Sequence, residues 1–210
     1  MRIQELSLQT RHLADQKDFY HTALGLPLVA ETTASCTLQA GATRVRFQEA
    51  QHDVLYHVAF TIPCNTFPEA KSWLQKHVSL LRKHGEDEFF FATLNARSLY
   101  FCDAANNILE LIVHYDLNHE TEGPFEPAQV LQVSEVGLPV EDVLAQGSLL
   151  KEKLAIEAYG GLVSEEFAFM GDMDGQLVVV KIGRPWQPAE TLLAAVSPMQ
   201  FMMSGKPEQQ

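Results

Sequence analysis

The chain has 210 residues, 46% hydrophobic and 20% charged, which suits one large or two small globular domains and excludes a disordered chain. Fifteen Lys and Arg against 27 Asp and Glu give a formal net charge of −12, so nucleic acid and anionic membrane surfaces are not expected partners. The longest apolar run, 108–113, is broken by Glu110 and is too short to span a bilayer. The N-terminus lacks the apolar region of a signal peptide. Cys36, Cys64 and Cys102 are odd in number and have no metal-knuckle spacing, so buried thiols in a reducing, cytoplasmic setting are expected.

Residues 3–10 alternate, with Leu6 and Leu8 apolar against Glu5, Ser7 and Gln9, which predicts a strand. A helix is predicted over 14–24, closed by Gly25 as C-cap. Strands follow at 28–34, 36–40 and 43–48. The same order returns: a strand over 55–62, then a helix opening at Thr66-Phe67-Pro68-Glu69 with capping-box spacing. Strand candidates at 79–83, 88–94 and 97–102, a turn at 103–107 and a strand at 108–114 complete it. Residues 116–129 are polar with Gly123, Pro124 and Pro127, the best linker in the chain. A third, looser copy then appears: a strand over 131–140, a helix over 141–154 marred by Gly147, and strands at 167–170 and 177–182. Residues 187–210 have weak periodicity and a polar end.

A recurring β-α-β-β-β order every 50–60 residues is an internal repeat. One unit cannot close a core, but two side by side supply about eight strands, enough for a cup with helices outside. The expected fold is α+β. Modules 3–50 and 55–115 pair within 1–116, a linker spans 117–129, an incomplete third module spans 130–186, and an extension covers 187–210.

Phe19-Tyr20-His21-Thr22-Ala23-Leu24-Gly25-Leu26 resembles the F-Y-x-x-x-L-G-L signature of the vicinal oxygen chelate superfamily, which includes glyoxalase I, bleomycin-resistance proteins and extradiol dioxygenases. The stretch from Leu99-Tyr100-Phe101-Cys102-Asp103 to Asn107-Ile108-Leu109-Glu110-Leu111 resembles that family's Y-F-x-D-P-x-G-N-x-x-E-L strand-turn-strand. The match covers about 3–116. The third segment matches loosely through 134–140 and 174–177 and lacks the F-Y helix.

The resemblance implies a metal held on inward-facing positions of the first and last strands of two paired modules. These positions fall on Glu5, His57 and Glu110, with Glu110 also the catalytic candidate. The fourth would lie within 44–48, where Arg44, Arg46 and Gln48 offer no carboxylate. One imidazole and two carboxylates suit Fe, Mn, Ni or Zn as the divalent cofactor. Independently of any family, Glu110 interrupts an apolar strand, and a buried lone carboxylate is costly unless paired or metal-bound. Arg46, Gln48, Tyr100 and His114 are candidate substrate contacts. Glu135 occupies the equivalent position in the third module, but its last-strand counterpart, 177–180, is apolar, so no second metal site is expected there. Gly183-Arg184-Pro185-Trp186 is distinctive, and Trp186 is expected to pack on the cup or a partner.

The implied function is a metal-dependent lyase, isomerase or dioxygenase acting on a small oxygen-bearing molecule. The alternative is metal-free sequestration of a small molecule, as in bleomycin resistance. An unpaired third module would leave an edge and an apolar face, so it is expected to dock on the cup or pair in a homodimer.

Overall fold

The computed structural model describes residues 1–204. Its strands are β1 (Arg2–Thr10), β2 (Leu28–Thr32), β3 (Ser35–Ala40), β4 (Thr43–Glu49), β5 (His57–Thr61), β6 (Phe89–Phe91), β7 (Ala96–Cys102), β8 (Ile108–His114), β9 (Gln132–Val140), β10 (Ala158–Val163), β11 (Phe167–Asp172), β12 (Gly175–Lys181) and β13 (Met199–Ser204). Helix α1 (Leu13–Lys17) runs on as wider π-type turns through Asp18–Ala23; α2 is Phe67–Leu74 and α3 is Val143–Leu154. Among the described residues no helix is long and apolar enough to cross a membrane.

The strands form two sheets. One has eight strands in the order β10-β11-β12-β9-β5-β8-β7-β6; the other has five in the order β13-β1-β4-β3-β2. The eight-stranded cup expected from the repeat is present, but the pairing of its modules is corrected. The second module (β5–β8) joins the third (β9–β12) through antiparallel β5 and β9, while the first stands apart in the smaller sheet. The reason is local: β13 lies antiparallel on β1, the edge where a second module's first strand would sit. The segment read as a weakly periodic tail thus supplies a strand at Met199–Ser204. Residues 205–210 lie outside the described residues.

Period-two alternation sorts the cup's side chains. Val58 and Phe60 on β5, Leu109 and Leu111 on β8, and Leu177 and Val179 on β12 join the main core, on the convex side. Leu6 and Leu8 of β1 and Val45 and Phe47 of β4 meet them there, so the first module backs onto the outside of the cup. Tyr20 donates to Asp103 Oδ2 at 3.0 Å and Gln16 Nε2 to the same oxygen at 2.6 Å, tying α1 and its extension to the β7–β8 turn. Gly41 (φ +56°) lies so close to the Leu131 carbonyl that a Cβ would fall 2.0 Å from its oxygen, and Ala42 N–H donates to it at 2.7 Å.

Other local expectations shift. Thr66 caps α2 without a side-chain bond to its backbone, its hydroxyl donating instead to the Pro63 carbonyl. The 79–83 strand reduces to two isolated bridges, Leu80 to Phe101 and Lys83 to Glu86. The strand β10 was missed, since Gly160 and Gly161 both take positive φ and break its pattern.

Candidate metal centre

Strand β5 opens with His57, the first inward-facing residue of the cup; Ala59 follows on the same face. Strand β8 lies parallel beside it, with His57 opposite Ile108 and Ala59 opposite Glu110. On the other flank β9 runs antiparallel, with Glu135 opposite Ala59. The β5–β9 register slips between Ala59 and Phe60, leaving Ser134 as an extra residue. This bulge resets the alternation: Val133 and Val136 both reach the core, while Glu135 points into the cup.

Three strands from two modules thus bring His57, Glu110 and Glu135 together, all buried, with one potential ligand atom from each within 4.8 Å of the others. His57 Nε2 lies 3.5 Å from Glu110 Oε2 and 3.9 Å from Glu135 Oε2. His57 Nδ1 faces the Ile108 carbonyl at 3.2 Å. A carbonyl only accepts, so Nδ1 carries the proton and Nε2 turns its lone pair to the carboxylates, the tautomer a metal requires. Gln176 Nε2 donates to Glu135 Oε1 at 2.6 Å and fixes that carboxylate with its other oxygen towards His57.

The electrostatics express crowding in a dry place. Burial, then the neighbouring Glu135, pushes Glu110 up to about 8, with His57 pulling the other way. Burial pushes Glu135 up to about 7, against its bond from Gln176. Burial also lowers His57. No Lys or Arg forms an ion pair with either carboxylate among the described residues. Two buried carboxylates, an aligned imidazole lone pair and no organic cation fit a divalent metal ion.

The expected ligand set is therefore revised. His57 and Glu110 meet as expected. Glu5 lies on the five-stranded sheet, 46% exposed and paired with Arg44 at 3.1 Å. It does occupy the outward face of its module, but β13 rather than another module stands beside β1, so that face is a solvated surface. Arg46, bonded to the Ser35 hydroxyl, and Gln48 lie on the same exposed face, far in the topology from the cup. The third residue that could hold a metal is Glu135, which the sequence placed at a ligand-equivalent position and set aside. In the second module Glu110 lies two residues beyond the partner of His57; the same step from Gln176, the partner of Glu135, reaches Val178. The apolar last strand thus removes a fourth ligand without removing the site.

Tyr100 is opposite Glu110 across β7 and β8, and its ring stacks on His57 at 6.3 Å. Burial and the two carboxylates push its hydroxyl well above its ordinary range. His114 shares the concave face of β8 but is buried outside the cavity wall, and burial lowers it. Above the three ligands opens a cavity of about 410 Å³. Trp186, expected to pack on the cup or a partner, packs its ring 5.1 Å from His57. Room for it is made at Gly137, where a Cβ would fall 2.5 Å from the indole.

No family model and no curated protein matches the chain. Solved structures do. A presumed dioxygenase of Bacillus subtilis aligns over 86% of this chain and 63% of its own, at 17% identity and TM-score 0.59. A single-site variant of glyoxalase I from Zea mays aligns over 86% of this chain and 66% of its own, at 15% identity and TM-score 0.55. The chain thus spans less than two thirds of the length of either. The chain shares the fold of these two proteins, curled β-sheets built from βαβββ modules.

Proposed function

We propose that the chain is a metal-dependent enzyme of the glyoxalase and dioxygenase type, which acts on a small oxygen-bearing molecule in the cup of modules two and three. The observation that carries this reading is the buried His57–Glu110–Glu135 set, one ligand atom from each lying within 4.8 Å of the others. Metal bonds of about 2.0–2.2 Å put ligand atoms of one ion about 3–3.5 Å apart, so a small contraction of the observed 3.5 and 3.9 Å completes the site. Fe, Mn, Ni or Zn suits one imidazole and two carboxylates. When bound, such an ion would polarise a substrate oxygen at its open positions.

The protein's own groups do the rest. His57, Glu110 and Glu135 hold the cation, and Gln176 orients Glu135. Val178 leaves its side of the site without a ligand, so coordination positions stay open. Tyr100 and Trp186 wall the site. Glu110 is also the catalytic candidate: on leaving the ion its carboxylate would be free to take a proton from bound substrate. The fold relationship supports the chemical class and leaves the substrate to experiment.

Elemental analysis of protein purified without chelator tests the reading. About one divalent ion per chain, with a rise in melting temperature on re-addition after chelation, is expected. A metal-free protein that gains no thermal stability from any of the four ions overturns it and favours sequestration without metal, for which the enclosed cup is equally suited.

A further inference from the structure

The strap after β12, 183–194, gives only the Trp186 wall to the site above, yet it roofs the cavity. It is fastened to itself: Gly183 N–H donates to the Ala194 carbonyl at 2.7 Å, Ala194 N–H to the Arg184 carbonyl at 2.9 Å, and Trp186 N–H to the Leu192 carbonyl at 2.9 Å. Ser197 beyond it donates to the Leu55 carbonyl at 2.6 Å, just before β5. Its inner side chains are therefore presented on a held backbone.

Two of them point to a ligand. Trp186 is buried and lines the cavity, but its Nε1–H has no acceptor among the described residues. A buried donor without a partner is costly, and a small turn of the ring towards the cavity would let a ligand oxygen satisfy it. Arg184, also in the wall, lies over the Phe167 ring at 4.9 Å and forms no ion pair among the described residues. Lys83, which bonds the strap at Gln187, is met by Glu190 at 3.4 Å. Arg2, Arg46 and Lys76 also have no ion pair among the described residues, but Arg184 is the one of these four in the cavity wall. Apart from the His57–Glu110–Glu135 set, Thr93 and Gln187, the wall is largely apolar, with Phe90, Tyr100, Phe167, Phe169 and Val178. A volume of about 410 Å³ holds a molecule of one or two rings.

We propose that the strap selects small aromatic anions, with Arg184 binding the carboxylate of the ligand and the Trp186 indole donating to a ligand oxygen. Guanidinium matches carboxylate geometry in two parallel hydrogen bonds, and the aromatic wall stacks on a ring. The inference rests on the cup being the ligand site, but its test does not depend on a metal.

Calorimetric titration of the chelator-treated full chain with benzoate and with benzamide, its neutral isostere, reads the proposal. The wild type is expected to bind benzoate about tenfold tighter than benzamide. Arg184→Gln should bring the two within about twofold, and Arg184→Lys should keep part of the preference. Trp186→Phe should weaken both probes alike, since each offers an oxygen. Equal affinities in the wild type, no benzoate binding, or a preference that survives Arg184→Gln overturns the anion site. Unchanged affinities in Trp186→Phe overturn the indole's part. Divalent-ion titration of the same proteins separates the two readings. A protein that binds no ion yet prefers benzoate loses the metal and keeps the strap's role; one that binds ions in wild type and Arg184→Gln alike but shows no preference does the reverse.

Discussion

His57 Nε2 faces Glu135 Oε2 at 3.9 Å, although the two residues belong to different modules and are 78 positions apart. That contact exists because β5 and β9 are antiparallel neighbours and because the bulge at Ser134 turns Glu135 inward. The candidate site is therefore a property of the seam between the second and third modules.

The metal-free site should make the protein sensitive to pH. Glu110 and Glu135 stand at about 8 and about 7 in the folded chain, above the ordinary 4.5. A raised carboxyl contributes stability that is present below its unfolded value and lost as pH rises through the folded one. His57 is lowered, so its contribution is lost on the acid side, as pH falls below 6.5 through its folded value. Between pH 6.5 and 8 only the carboxyl loss operates. Stability of the chelated protein should fall there by on the order of 1 kcal/mol per pH unit. Saturating divalent metal or Glu110→Gln should flatten that slope in chemical denaturation. A flat profile in the chelated wild type contradicts the buried like-charge pair.

Gly137→Ala should loosen the roof of the cup. The added methyl group would meet the Trp186 indole at 2.5 Å and His57 Cβ at 3.1 Å, so the ring must move. Overpacking of this kind costs about 1–3 kcal/mol. A lowered melting temperature with a red-shifted Trp186 emission in a Trp73→Phe background is expected; unchanged emission would mean the ring is not held there.

The signature tyrosine should matter for stability and not for metal. Tyr20 is buried and donates to Asp103, which also accepts from Gln16 and Asn107. Tyr20→Phe should cost about 1–2 kcal/mol in denaturant unfolding with metal affinity unaltered. Loss of metal binding in this variant would place the first module in the site.

How much was legible follows from these residues. The resemblance put His57 and Glu110 on inward-facing positions, and Glu110 was visible independently as a carboxylate in an apolar strand; the structure brings the two within 3.5 Å. The repeat made an eight-stranded cup foreseeable. Which modules pair was not foreseeable from motifs, since Tyr20 and Asp103, members of the two signatures, bond each other across the back of the cup. They mark how a module packs, and the best-marked module is the one outside the cup. Glu135 was found and then discounted through Val178, yet a site of three ligands has no need of a fourth. The strand β13 was hidden because its edge position on β1 demands little periodicity: Met202 is 56% exposed beside half-buried Met203.

Truncation after Pro198 tests that strand's role. It removes β13 and bares the β1 edge, whose residues 2–8 pair with 199–204. Light scattering should show self-association through the freed edge, or the melting temperature should fall markedly. A monomer of unchanged stability contradicts the capping role.

The most direct measurement of the central claim is calorimetric titration of chelated protein with Mn²⁺ or Zn²⁺, comparing Glu135→Gln with Glu5→Gln. One site per chain in the wild type, unchanged in Glu5→Gln and weakened at least about a hundredfold in Glu135→Gln, is the predicted result. Retained affinity in Glu135→Gln together with its loss in Glu5→Gln would contradict a site at the seam of modules two and three.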